Sequence, residues 1–246
     1  ACYLPNGMTP ILSVRPALPQ ERPRAVFMGS QHLPNVQAAK FIVEELAPRL
    51  PHVSFDIIGE CLPAGRYAAN VVRHGCVSNR EKSQLLQNAA IALNPMGSGS
   101  GSNIKVFEYF SFGLPVLSTS FGMRGVLAVA GQHYVQAARN DFSDKLLQLL
   151  ASPEQCKALG QAGLDLADEN YTWAAVVQSL LGRLDEWFAG KQLQVTKHVL
   201  VLNDYDSYGS IGGGATRTQG LYDAVRKWRS VVFLAFSSDG QCSISQ

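Results

Sequence analysis

Short apolar runs recur from Arg24 to Ala137, four of them stopped by a glycine or an Asn-Pro pair, with helix-like segments between several of them. Ala25-Val26-Phe27-Met28 closes on Gly29, Val53 to Ile58 on Gly59 and Val71 to His74 on Gly75, while Ala90 to Leu93 runs into Asn94-Pro95. Pro115 to Thr119 follows Gly113, and His133 to Ala137 is a last run of the same kind. Runs this short and this apolar fit strands buried on both faces of a sheet. Between them lie a helix capped at Asn35, carrying Ala39, Ile42, Val43 and Leu46 and stopped by Pro48, and a second opened by Asn79 through Leu85 and Leu86. A third has Ile104, Phe107 and Ser111 on one face and ends at Gly113. The alternation predicts an α/β chain with a doubly wound, Rossmann-like parallel sheet, whose ligands gather at the carboxyl ends of the strands.

From Phe142 to Phe188 the pattern is helical, broken at Pro153 and at Asn170-Tyr171-Thr172, with Trp173, Val176, Val177, Leu180, Leu184 and Trp187 forming an apolar face. The strand pattern then restarts. Val199 to Leu202, a loop with Gly212-Gly213-Gly214, a helix through Leu221 and Val225, and Val231 to Phe236 make an incomplete βαβ unit. The glycine loop lacks the G-x-G-x-x-G spacing of a dinucleotide fingerprint. Three regions are expected: a lead-in over 1–22, the main Rossmann-like domain over 23–190, and the partial unit over 191–246. The first residue, Ala1, and the turn at Pro5-Asn6-Gly7 suggest a chain that starts partway through a longer protein.

Composition narrows the function. With 46% apolar residues in 246, the chain buries a full core. A net charge of +2, from 21 basic and 19 acidic residues, gives no general pull toward nucleic acid, so any anion site must be local. The five cysteines are scattered without a CxxC pair, which argues against a disulfide framework or zinc site; they read as reduced, mostly buried thiols. No apolar run reaches the roughly 18 residues of a membrane span, and no leader is seen, so the expected compartment is the cytoplasm.

The segment most suggestive of chemistry is Gly97-Ser98-Gly99-Ser100-Gly101-Ser102 between a strand and a helix. Alternating small residues there expose successive N–H groups at a helix N-terminus, which suits a diphosphate; the competing reading is a surface linker. Just beyond, Lys105 and Glu108 share a helix face. They are either a simple ion pair or a phosphate cation and a carboxylate for ribose hydroxyls. His32 lies in the first loop, where a lone histidine is ordinarily solvated, and Arg124 is either a phosphate partner or a surface charge.

Asn94-Pro95, the glycine-serine loop, Asn103-Ile104-Lys105-Val106-Phe107-Glu108-Tyr109 and Gly113-Leu114-Pro115-Val116 together resemble the donor-site signature of GT-B glycosyltransferases of family 4 (group 1). Val26-Phe27-Met28-Gly29 with Pro34-Asn35, Phe55-Asp56-Ile57-Ile58-Gly59, Gly122-Met123-Arg124-Gly125 and Tyr171-Thr172-Trp173 are similar to flanking parts of the same C-terminal domain, and Pro5-Asn6-Gly7 resembles its hinge. The resemblance covers roughly residues 1–188. It implies transfer of a sugar from a UDP-, GDP- or dTDP-sugar, with no separate cofactor and no metal, to a glycan or lipid-linked acceptor held by another domain. The expected setting is bacterial polysaccharide synthesis, with peripheral membrane association of the parent protein left open.

Residue by residue, the resemblance places Glu108 on ribose and Lys105 on the diphosphate, with Gly29, Ser30, His32, Val77, Gly101, Ser102, Asn103 and Ile104 around the donor. Two departures stand out. Many relatives have a Glu where this chain has Ser100, and an Arg-Lys pair in the loop that here reads Gly29-Ser30-Gln31-His32. Asn203-Asp204-Tyr205 and Ile211-Gly212-Gly213-Gly214-Ala215-Thr216-Arg217 resemble the opening of a second glycosyltransferase's N-terminal domain. A sugar-nucleotide epimerase of the same architecture and a degenerate, non-catalytic domain are the alternatives.

Overall fold

The computed structural model describes residues 7–8, 22–188, 198–203, 223, 230–236 and 242–245. Two compact units divide the chain: 10–169, and 1–9 together with 170–246.

The larger unit is built on a six-stranded sheet of β1 (Arg24–Met28), β2 (Ser54–Ile58), β3 (Val71–Gly75), β4 (Ile91–Asn94), β5 (Val116–Ser118) and β6 (Val135–Gln136). Its order is β3-β2-β1-β4-β5-β6, and every pairing is parallel. This is the doubly wound sheet the alternation predicts, with its switch point between β1 and β4. Helices α1 (Leu33–Phe41) and α2 (Ala47–Arg49) join β1 to β2, α3 (Asn79–Asn88) joins β3 to β4, α4 (Ile104–Ser111) joins β4 to β5, and α5 (Phe142–Leu150) and α6 (Pro153–Asn170) follow the sheet.

Phe27, Phe55, Ile57, Ile91, Leu93 and Leu117 supply the sheet's share of the core, and Ile42, Leu46, Phe142 and Leu146 pack in the same cluster. Phe41 and Phe142 meet edge to face, 5.8 Å between ring centres. Alternation puts Asp56 on the sheet face opposite Phe55 and Ile57. There its buried carboxylate takes two bonds from Arg24, at 2.8 and 2.6 Å, and a third contact from His74 Nε2 at 2.7 Å. Close packing also needs a bare backbone at Gly160, where an added Cβ would stand 2.3 Å from the Gly113 carbonyl oxygen.

Local details correct the sequence reading. Asn35 is not a cap: α1 begins two residues earlier, with His32 at the cap position and Pro34 in its first turn. The helix does not stop at Pro48 but widens into a π-turn over Ile42–Leu46, with the Ala47 N–H reaching the Ile42 carbonyl. Proline lacks an N–H and crowds the carbonyl four residues back; an i+5 turn relieves both at the cost of regularity. Ile104 lies outside the core at 43% exposure, whereas Val106, Phe107, Tyr109, Phe110 and Ser111 of α4 are buried. Cys61 is buried, whereas Cys76 is exposed and Cys156 intermediate.

In the other unit, the Met8 N–H donates to the Tyr171 carbonyl at 2.6 Å and the Trp173 N–H to the Met8 carbonyl at 3.2 Å. Helix α7 (Trp173–Phe188) starts there, its first turn capped by the Thr172 hydroxyl, which accepts from the Ala175 N–H at 3.1 Å. Val176 and Val177 of the expected apolar face are buried. Strands β7 (His198–Asn203) and β8 (Ser230–Phe236) pair in parallel, as a βαβ unit requires, and β9 (Cys242–Ser245) joins β8 antiparallel, a strand the sequence reading did not foresee. Of the helix expected through Leu221 and Val225, only Asp223 is described, and it is helical; the glycine loop Gly212-Gly213-Gly214 lies outside the described residues.

Candidate functional site

The carboxyl ends of β1, β4 and β5 lie side by side, so the loops after them form one rim. The glycine-serine loop is pinned to that rim rather than trailing as a linker. Arg139 Nε and Nη2 donate to the Pro95 carbonyl at 3.1 and 2.8 Å, and the Thr119 hydroxyl donates to the Met96 carbonyl at 2.5 Å. Ser98 Oγ donates to Gln37 Oε1 at 3.2 Å, and Arg124 Nη2 to the Ser100 carbonyl at 3.1 Å. Gly99 holds φ at +134°, and a Cβ there would stand 2.6 Å from Arg124 Nη2. The positive φ selects glycine, while the guanidinium end can move aside.

Asn103 occupies the cap position of α4 but offers it no side-chain bond. Its amide nitrogen turns inward, donating to Asn94 Oδ1 at 3.0 Å and to the Gly122 carbonyl at 2.9 Å. Asn94 in turn donates to Ser118 Oγ at 3.1 Å and Gly122 O at 2.8 Å. This buried network ties the β4 and β5 loops together, and Tyr109, accepting the Met28 N–H on its hydroxyl at 2.9 Å, docks α4 against the end of β1. The N-terminus of α4 is therefore held on the rim with its dipole's positive end at the glycine-serine loop. Asn103 is a structural peg, and of the expected donor contacts in this run the backbone at Gly101, Ser102 and Ile104 is what the rim presents. Gly101 and Ile104 are exposed and Ser102 is half-buried.

Lys105 and Glu108 share the helix, yet their side chains part. Lys105 Nζ donates to Asn35 Oδ1 at 2.7 Å and lies 4.3 Å from the centre of the Phe27 ring, with Met96 Sδ at 3.8 Å. It has no carboxylate partner among the described residues. Burial therefore lowers its pKa to about 7, with the Arg124 charge adding to the fall and Cys61 opposing it. The Cys61 thiol is itself pushed up to about 11 by burial, against the pull of Lys105. Glu108 instead pairs with Lys82 on α3, both about a third exposed, at 30% and 29%.

Of the other expected donor contacts, Ser30 accepts from Asn35 Nδ2 at 3.2 Å, which links it through Asn35 to Lys105. Gly29 is packed beneath Asn35, where an added Cβ would stand 2.8 Å from the Asn35 Cβ. His32 is exposed, and its carbonyl accepts the first N–H groups of α1. Val77, half-buried, precedes Ser78, which forms a reciprocal capping box with Glu81 at the start of α3. Thus Ser30 and Lys105 are brought together on one side of α4, and Val77 stands near the start of the helix that carries Glu108's partner.

The sequence reading missed Asn35 as Lys105's partner, because that contact joins residues 70 apart. Among the described residues no group of three or more His, Cys, Asp or Glu is gathered as a metal ion would need, and no helix is long and apolar enough to cross a membrane.

Comparison with known proteins bears on the fold and the family. The fold matches sucrose-phosphate synthase from Thermosynechococcus elongatus, with a TM-score of 0.59 and 15% identity over 76% of this chain and 53% of that one. It matches TarM of S. aureus, solved with fondaparinux, alpha-GlcNAc-glycerol and UDP, with a TM-score of 0.56 and 15% identity over 71% of this chain and 38% of that one. HepE of Anabaena, solved with UDP, gives a TM-score of 0.56 at 12% identity over 68% of this chain and 49% of that one. These likenesses are of fold, that of GT-B glycosyltransferases, and the chain spans between 38% and 53% of the length of those proteins. No match was found among curated proteins. A family profile described as glycosyl transferase-like covers residues 32–182, well over half of the 246, and the chain therefore belongs to the glycosyl transferase-like family.

Proposed function

We propose that this chain is the donor-binding part of a glycosyltransferase, holding a nucleoside diphosphate sugar at the rim where the β1, β4 and β5 loops meet. One observation carries the reading: the half-buried side chain of Lys105 stands at the first turn of α4 without a carboxylate partner among the described residues, beside a pinned loop of small residues. A buried cation without a counter-charge is costly, and an anion at the helix end relieves that cost. That GT-B proteins of similar fold have been solved with UDP supports a nucleoside diphosphate as the anion.

In this reading the diphosphate lies across the α4 N-terminus and Lys105, and ribose hydroxyls reach Glu108, with Lys82 holding that carboxylate in place. As the sugar–phosphate bond breaks, the departing nucleoside diphosphate gains negative charge. Lys105, the helix dipole and the loop N–H groups stabilise it. Acceptor binding and activation are assigned to a domain outside this chain, with a glycan or lipid-linked sugar as acceptor. The partial unit over 191–246 is assigned to the start of a second, similar domain, and the setting to the cytoplasm.

The test is calorimetric titration of the full chain with UDP, GDP and dTDP, repeated on Glu108→Ala. Loss of a charge-assisted bond to ribose is expected to weaken binding by about 1.5–3 kcal/mol. If none of the three nucleotides binds the intact chain, the donor-site reading fails.

A further inference from the structure

Between Glu81 and Asp141 the sequence has a single acidic residue, Glu108, although this stretch contributes β4, α4, β5 and both of their loops. That carboxylate is engaged by Lys82. Lys105, Arg124 and Arg139 all lie in the same stretch. Arg139 is structurally committed, holding the Pro95 carbonyl through two nitrogens and lying over the Phe41 ring at 5.0 Å. Arg124 is not. Its Nη2 and Nη1 make bonds of 3.1 and 3.3 Å to the neutral carbonyls of Ser100 and Phe121, and its Nε is sealed from solvent without a partner. Bonds to neutral acceptors only, with an orphaned donor, describe a guanidinium short of its natural counterpart, a planar anion that takes two parallel bonds. The half-exposed Phe121 ring lies 4.5 Å beneath it.

The order of groups along the rim says which anion. If ribose is at Glu108 and the diphosphate at Lys105, one turn nearer the helix start, the transferred sugar falls beyond the α4 N-terminus, at Ser100 and Arg124. Neutral sugars are commonly held by carboxylates that accept their hydroxyls, and that stretch offers none to spare. Lys105 and the roughly +0.5 charge of the helix end meet about 1.5 of the diphosphate's two negative charges, which leaves Arg124 with more positive charge than the remainder requires. Resting on the donor-site reading, we propose that the transferred sugar is itself acidic: the donor is a nucleoside diphosphate hexuronate, whose carboxylate swings the Arg124 guanidinium off its carbonyls into a two-bond pair.

The test is calorimetry on the full chain with matched donors: UDP-glucose and UDP-glucuronate, GDP-mannose and GDP-mannuronate, dTDP-glucose and dTDP-glucuronate. In the nucleotide series that binds, the uronate is expected to bind at least tenfold tighter than its neutral partner. Arg124→Gln should erase that advantage, costing the uronate donor at least tenfold more affinity than it costs the bare nucleoside diphosphate, and Arg124→Lys should restore part of it. Equal affinity for the two members of a pair overturns the proposal and leaves the donor site standing. Equal loss of bare nucleotide and nucleotide sugar in Arg124→Gln also overturns it, making Arg124 a phosphate ligand. Failure of every nucleotide to bind removes the donor-site reading and the proposal together.

Discussion

Two charged clusters on the same sheet are treated in opposite ways. On one face, Asp56 is 2% exposed but receives both arms of Arg24 and the ring of His74, so nearly every lone pair it brings into the protein is used. At the carboxyl rim, Lys105 has only the neutral Asn35 amide, an aromatic face and a thioether, and Arg124 has two carbonyls and an orphaned Nε. The first cluster is complete in the protein alone and therefore belongs to its architecture. The second is left without a charged partner among the described residues, and in the proposed function a bound anion completes it. What separates structure from function here is whether a charge's partner is already inside the fold, more than its burial.

The contrast breaks most visibly at Arg24. Arg24→Leu leaves Asp56 buried with His74 alone, and about 3 kcal/mol of stability should go, read as a lower urea midpoint with an unchanged slope. At the rim the same kind of deletion acts the other way. Lys105→Met should cost about 1.5–3 kcal/mol of nucleoside diphosphate binding by calorimetry, while its urea midpoint holds or rises, because an unpaired buried cation has been removed. A fall in stability like that of Arg24→Leu would make Lys105 a structural charge and erase the distinction.

The pH dependence sharpens it further. Lys105 has a folded pKa of about 7, below its usual value. The unfolded chain therefore holds the extra proton between about pH 7 and pH 10, so this group's penalty on folding is full below about 7 and relieved as pH rises. An anion reverses the balance by favouring the charged form. Nucleoside diphosphate affinity should then fall above about pH 7, by up to tenfold per pH unit, with proton uptake on binding that differs between buffers of different ionisation heat. A flat profile from pH 7 to 9 would mean the ammonium does not face the ligand.

The smallest effect is expected at the Lys82–Glu108 pair. Because both partners are partly exposed, Lys82→Ala should change stability by less than about 1 kcal/mol. Its mark should appear instead as weaker binding of nucleosides that retain both ribose hydroxyls, with deoxyribonucleotides unaffected.

Much of the sheet was legible in the chain's own text because strand signals are local. The apolar run Val53 to Ile58 became Ser54–Ile58, and Val71 to His74 became Val71–Gly75. The breaks at Pro153 and at Asn170-Tyr171-Thr172 fell where α6 begins and where α7 is capped. The helix start was misread at Asn35, whose side chain looks like a cap but is taken up by Ser30 and Lys105. Asp56 went unremarked inside an apolar strand because its partners lie 32 and 18 residues away.

Sequence alone determined the α/β alternation, the glycine-serine turn into α4 and the presence of Lys105 and Glu108 on that helix, since these follow from residues close together along the chain. Only the tertiary structure decided that the two side chains part, one toward Asn35 and one toward Lys82, and that Arg124 leans on Ser100. Those choices depend on which loops the strand order β3-β2-β1-β4-β5-β6 brings to a common edge. A charge's energy is set by the neighbours gathered around it in space, and no spacing along the chain encodes them.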